Sequence, residues 1–299
     1  MKHMKWFALL LAVFLLPLGA CADFALSGIS PHDSYTMATD AFKAGHYLEA
    51  IQLFSDAANF QDAKKWLFYC QAIHDVITYN STPDVIANAG KRFQLLSAQS
   101  FEQADQWATY CTARSYDLDG YTYDAAAKYA EVVVYNSIER YLACMGSEYS
   151  NLLESQETVQ KRHHDAGTVR AELYKEAKAA YDIGRYAYAA DYFCLAGDYS
   201  DARQWRCYCT AINLIVSHKD TDPEEIVLAD VARARVLFSL LSKHHFADSA
   251  DWLIYCTARR SEADGYAADA LKQYESIFLH DSPIRYLELL DVLSREAIP

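Results

Sequence analysis

One pattern recurs four times along this chain and restricts its fold more than any other feature. An aromatic residue is followed three positions on by Ala or Ser, three further by Trp, and then by Tyr-Cys and Ala. The copies are Phe60/Ala63/Trp66/Tyr69/Cys70/Ala72, Phe101/Ala104/Trp107/Tyr110/Cys111/Ala113, Tyr199/Ala202/Trp205/Tyr208/Cys209/Ala211 and Phe246/Ser249/Trp252/Tyr255/Cys256/Ala258. In the first copy Ala63, Trp66, Cys70 and Ile73 stand at i, i+3, i+7 and i+10, which is one stripe of an α-helix. Small residues beside an indole let a neighbouring helix approach while the ring fills the space between turns. Phe60 and Tyr69 widen the stripe, as suits a helix touched on two sides in a stacked array.

A longer repeat encloses the short one. Residues 38–73 realign without gaps on 177–212 (177 − 38 = 139), and residues 101–129 on 246–274 (246 − 101 = 145). The chain reads as a tandem duplication, with a first half at 33–145, a polar connector at 146–168 and a second half at 169–299. Ser81 or Thr82 before Pro83, and Asp222 before Pro223, predict helix starts, with those helices running to about Ser97 and Lys243. Six helices per half, or slightly more, are expected. With only 10 Gly and 6 Pro and no sustained period-2 alternation, a turn-rich β fold is excluded, and 52% hydrophobic residues exclude disorder.

The stretch Gly45-x-Tyr47-x-x-Ala50-x-x-x-Phe54-x-x-Ala57 recurs as Gly184-x-Tyr186-x-x-Ala189-x-x-x-Phe193-x-x-Ala196. Both resemble the helix-turn-helix signature of tetratricopeptide (TPR) repeats. The resemblance implies that the Gly permits the turn, the Tyr opens the second helix, and the Ala/Phe/Ala stripe packs on the first. It implies an all-α, right-handed α-α solenoid of TPR-like helical hairpins, here tandemly duplicated. The sequence departs from that family in lacking the early Trp-Leu-Gly and the terminal Pro. Its Trp copies are spaced by 107 − 66 = 41, 205 − 107 = 98 and 252 − 205 = 47 residues, not by a constant repeat length. The basic peptide-clamp residues of some family members have no matching motif.

The N-terminus carries a different signal. Lys2 and Lys5 precede an uncharged apolar run, Trp6 to Pro17. That run is too short to cross a ~30 Å hydrocarbon core as a helix, which takes roughly 20 residues, and it reads as part of a signal peptide over residues 1–20. Leu18-Gly19-Ala20-Cys21 resembles the lipobox of bacterial lipoproteins. The resemblance implies that Cys21 is lipidated and held to the extracytoplasmic side of a membrane, with residues 21–32 as a tether. Ordinary cleavage after Ala22 would instead release a secreted soluble protein. The whole chain has 27 basic and 40 acidic residues; without the two lysines of the leader the balance is 25 − 40 = −15. Such a surface repels phosphate backbones, so nucleic acid is not an expected partner.

Chemistry finds little support in the motifs. Cys70, Cys111, Cys209 and Cys256 hold equivalent stripe positions one repeat apart, beyond the ~7 Å reach of a disulfide, so they are expected as buried free thiols. Any disulfide would involve Cys144, Cys194 or Cys207. Cys207-x-Cys209 diverges by about 200° on a helix, and the adjacent pairs His163-His164 and His244-His245 splay likewise. Without HExxH, CxxC, a Gly-rich phosphate loop or GxSxG, no metal, cofactor or catalytic residue is assigned. Arg114 and Arg259 stand where the other copies have Ile73 and Ile212. Each precedes an acidic, Gly-containing turn, and Asp124/Asp269 and Arg140/Arg285 also persist between halves. Two readings are open for the arginines: pairing with helix ends and a nearby acid, or duplicated pockets for a carboxylate or sugar. The expected function is a protein- or peptide-binding scaffold at the cell envelope. The alternative is capture of glycan or solute, with Tyr116, Tyr123, Tyr149 and Tyr188 as platform.

Overall fold

The computed structural model describes residues 29–164, 166–167, 169–219 and 222–296. The signal peptide, the lipobox and Cys21 lie outside them. The described residues form helices without strands, and most of the helices pack chiefly on their neighbours in sequence. They fall into two compact units, one up to His74 and one from Asp75.

The first unit holds α1 (Pro31–Lys43), α2 (Tyr47–Asp56) and most of α3 (Ala63–Thr78). The second continues with α4 (Pro83–Ser97), α5 (Ala104–Leu118), α6 (Thr122–Tyr129) and α7 (Ser137–Met145). Two short helices, α8 (Ser147–Ser150) and α9 (Gln156–Arg162), occupy the connector. Then come α10 (Arg170–Asp182), α11 (Tyr186–Ala196), α12 (Ala202–Val216), α13 (Glu224–Lys243), α14 (Ser249–Ala263), α15 (Ala267–Glu275) and α16 (Ser282–Glu296). The helix over 83–97 has the limits its flanking residues predict. The helix over 224–243 starts after Pro223, and Asp222 turns its carboxylate to the Lys219 N–H at 2.9 Å instead of opening the helix.

Four turns share one construction. Gly45, Gly184, Gly120 and Gly265 join α1–α2, α10–α11, α5–α6 and α14–α15, each at φ between 75° and 83°. The next residue donates its N–H back five positions: His46 to the Ala41 carbonyl, Arg185 to Ala180, Tyr121 to Tyr116 and Tyr266 to Ser261, at 2.8–2.9 Å. This is the Schellman closure, and its left-handed residue is most accessible to glycine.

The Trp helices share a partner as well. Trp66 stacks on Phe54 at 5.6 Å, Trp107 on Phe93 at 5.5 Å, Trp205 on Phe193 at 5.9 Å and Trp252 on Phe238 at 5.5 Å, with ring planes within 20°. Each Phe lies on the preceding helix and is fully buried. Around two of these stacks the small residues match one to one. Ala38, Ala41, Ala50, Ala57, Ala63 and Cys70 are buried, and so are their counterparts Ala177, Ala180, Ala189, Ala196, Ala202 and Cys209. Alanine at the crossing brings the backbones close enough for the two aromatic rings to span the rest of the interface. Truncating Trp107 to Ala removes the ring from the Phe93 stack, and a cost of about 3–5 kcal/mol is expected, measured as a lowered urea midpoint with unchanged slope.

Candidate functional site

Both Arg114 and Arg259 reach the interior, with 6% and 4% exposure, and the polar groups around them build a network that recurs in each half. In the first half Arg114 Nε donates to the Asn80 carbonyl at 2.9 Å and to Asn80 Oδ1 at 2.8 Å, while its Nη1 donates to Asp117 Oδ2 at 2.8 Å. Tyr129 OH reaches the same carboxylate at 3.2 Å, and Arg140 joins it at 3.4 Å and Asn80 Oδ1 at 3.0 Å. In the second half Arg285 takes the larger share. Its Nη1 meets Glu262 at 3.1 Å and its Nε meets Asp281 Oδ2 at 2.7 Å, and Tyr274 OH donates to Glu262 at 2.9 Å. Arg259 there donates to Glu224 at 2.6 Å, and its Nε lies 3.9 Å from Glu262 with no hydrogen-bond acceptor.

The acids that hold equivalent places in the two networks are Asp117 and Glu262, three residues after the arginines and one helical turn away, and Asp281 and Glu224 join them in the second half only. Asp124 and Asp269 stand exposed in the first turn of α6 and α15, where a carboxylate favours the positive end of the helix dipole. Arg114 and Arg140 are thus drawn together and Asp124 is not.

A second regularity pairs tyrosines, three of them from the four-fold Trp pattern, with acceptors that the pattern does not include. Five tyrosines, Tyr110, Tyr208 and Tyr255 buried and Tyr35 and Tyr174 half-buried, donate to the residue that opens a later helix. Tyr35 OH meets Asp62 Oδ1 and Tyr174 OH meets Asp201 Oδ1, each at 2.6 Å. Tyr110 OH meets Asn136 Oδ1 at 2.6 Å, Tyr255 OH meets Asp281 Oδ1 at 2.7 Å, and Tyr208 OH meets Asp248. Asn136, Asp201 and Asp248 are N-cap residues whose side chains do not cap their own helices. Asp62 and Asp281 immediately precede α3 and α16. Burial pushes the Tyr255 phenol well above its ordinary range, and Asp281 beside it adds to the shift. Burial also opposes the charge on Asp281, but the Tyr255 hydrogen bond and Arg285 outweigh it and hold that carboxyl below its usual range.

The seven described cysteines are free thiols, six of them buried and Cys144 half-buried. Burial pushes Cys70, Cys111, Cys207, Cys209 and Cys256 up to about 12, so these thiols stay protonated at neutral pH. Among the described residues no three His, Cys, Asp or Glu are grouped to hold a metal ion, and no helix is long and apolar enough to cross a membrane.

The tyrosines proposed as a platform divide. Tyr188 stacks on Tyr192 at 4.2 Å and donates to Glu176 at 2.9 Å, and Tyr149 is half-buried. Tyr116 and Tyr123 are exposed beside the Gly120 turn, where Tyr121 packs edge-on to Tyr116 at 6.4 Å. Comparison with protein-family models, with curated proteins and with solved structures finds no match for this chain.

The networks predict two responses. Replacing Tyr255 by Phe leaves Asp281 one donor short, and a loss of about 1–3 kcal/mol is expected in urea unfolding. Raised thiol and phenol values mean that the folded protein retains protons which the unfolded chain releases. Their stabilisation is therefore full below the unfolded values, about 8.5 for Cys and about 10 for Tyr. It is lost progressively as pH rises from there towards the folded values. Thermal unfolding measured from pH 7 to 11 should show the midpoint falling from about pH 8.5 upward, and Cys111→Ala should make that fall shallower.

Proposed function

We propose that this protein is a lipid-anchored scaffold of the cell envelope that binds a protein or peptide partner. In this reading it is a right-handed stack of TPR-like hairpins with no catalytic activity. The observation that carries the reading is the contrast between its polar and its aromatic groups. Arg114, Arg140, Arg259 and Arg285 are engaged with the chain's own acids and amides, and the stripe thiols are buried and protonated. Tyr121, Tyr123 and Tyr116 meanwhile crowd outward around one rigid helix-helix turn, and Tyr266 stands exposed at the matching turn of the other half. Rigid aromatics lose little side-chain entropy on contact and are enriched among the residues that dominate binding energy.

The export and anchoring part rests on the leader and on Cys21. Cross-linking in intact cells followed by affinity purification of the tagged protein is expected to recover a stoichiometric protein partner. Tyr121→Ala with Tyr123→Ala should abolish that recovery while leaving the thermal midpoint unchanged, since both side chains are exposed. Recovery of the bait alone, together with oligosaccharide binding that the same pair removes, would replace this reading by glycan capture. Cys21→Ala should move the protein from the membrane to the soluble fraction.

A further inference from the structure

The duplication allows each surface of one half to be compared with the same surface of the other. At the end of the first half, α7 is covered: Ile138, Tyr141 and Leu142 are buried, and Glu139 pairs with Arg206 of α12 at 3.1 Å. A cavity beside this junction is lined by Glu139, Leu153, Phe193, Cys194 and Arg206, so α7 abuts the start of the second half. At the end of the second half the equivalent helix is α16, and its face is bare. Leu142 is 1% exposed while its counterpart Leu287 is 63% exposed (142 + 145 = 287). Leu290 and Val292, farther along the same helix, are exposed too.

The two members of the Glu139–Arg206 pair have changed together. The counterpart of Glu139 is Ile284, which is exposed (139 + 145 = 284). The counterpart of Arg206 is Leu67 on α3 (206 − 139 = 67). An ion pair at the internal junction thus corresponds to two aliphatic residues, Ile284 exposed on α16 and Leu67 half-buried on α3 at the edge of the first unit's core. Ala187, beside the same junction, corresponds to Leu48, which is 65% exposed on α2 (187 − 139 = 48). Either aliphatic residue alone would be an ordinary surface substitution. The pair makes two apolar faces that match each other in the register of a junction the chain already contains.

We infer that α16 of one molecule docks on the α2–α3 surface of a second copy, Ile284 against Leu67, repeating between molecules the junction that α7 makes within one. Such a contact joins unlike surfaces, so it propagates head to tail into rows or closes into rings. This goes beyond partner binding at the tyrosine turns and does not depend on it, because none of the exposed tyrosines lies on either face.

Sedimentation of the full chain in mild detergent tests the inference. Mass should rise with concentration beyond a dimer. I284E and L67R should each weaken association by about tenfold or more, as for loss of a central apolar contact. An equimolar mixture of the I284E and L67R proteins should recover association, because every junction in an alternating row is then either the native aliphatic pair or a restored acid–arginine pair. Circular dichroism and thermal midpoints confirm that each variant is folded, and L287D on the same exposed face provides an independent disruption. A monomer at every concentration overturns the inference. So does a species that stops at dimer, is lost in I284E and is unaffected in L67R, since that describes α16 pairing with itself. Loss of partner recovery in the Tyr121/Tyr123 variant leaves these outcomes unchanged, so the two readings fail separately.

Discussion

The bond from a tyrosine to the residue that opens a later helix is the constraint on which the packing depends. A helix N-cap ordinarily turns its side chain to the first free N–H groups of its own helix. Here Asn136, Asp201 and Asp248 give that role up and receive a phenol from an earlier hairpin instead. The phenols of Tyr110, Tyr208 and Tyr255 have left water, so an absent acceptor would leave a buried hydroxyl unpaired. Phe–Trp stacking supplies cohesion but tolerates small slides. A hydrogen bond of 2.6–2.7 Å does not, and it sets the start of one helix against the flank of another.

Much of the local structure was legible in the sequence. The 3.6-residue stripe around Trp66, the Pro-initiated helix over 83–97 and the Gly45 and Gly184 turns depend on residues within one or two turns of each other. Hidden features depend on residues farther apart. Phe238 lies 14 positions before Trp252 and Phe54 lies 12 before Trp66, so no single spacing marks them as partners. The tyrosine acceptors lie 26 or 27 residues ahead in four cases and 40 in the fifth. Loop length, which does not enter helical periodicity, determines these separations. Asp117 and Glu262 open the acidic turns that follow Arg114 and Arg259 in the sequence, so a nearby acid for each arginine was legible there, whereas the persistence of Asp124 and Asp269 between halves marks helix starts and not the network.

The halves also show how one polar design accommodates substitution. In the first, Asn80 accepts from both Arg114 and Arg140, and a neutral Asn136 receives Tyr110. In the second, the acid Asp281 replaces Asn136 and draws Arg285 to itself, while Arg259 turns to Glu224. The arginines are identical and their acceptors have been redistributed. The phenol, the guanidinium and an oxygen acceptor persist, and the formal charge of that acceptor does not. Such a network specifies geometry more strictly than net charge.

The buried thiols have a consequence for how the chain reaches this state. Before it folds, each stripe cysteine is accessible, and in an oxidising compartment any two could join. Bridges between equivalent positions would tie together helices that must lie a repeat apart. For the exported protein proposed above, folding is then a race between burial and oxidation. A topology in which most helices pack chiefly on the next in sequence favours burial, since contacts that are near along the chain form early. The same short-range order that makes the repeats visible in the sequence thus favours early enclosure of the stripe thiols.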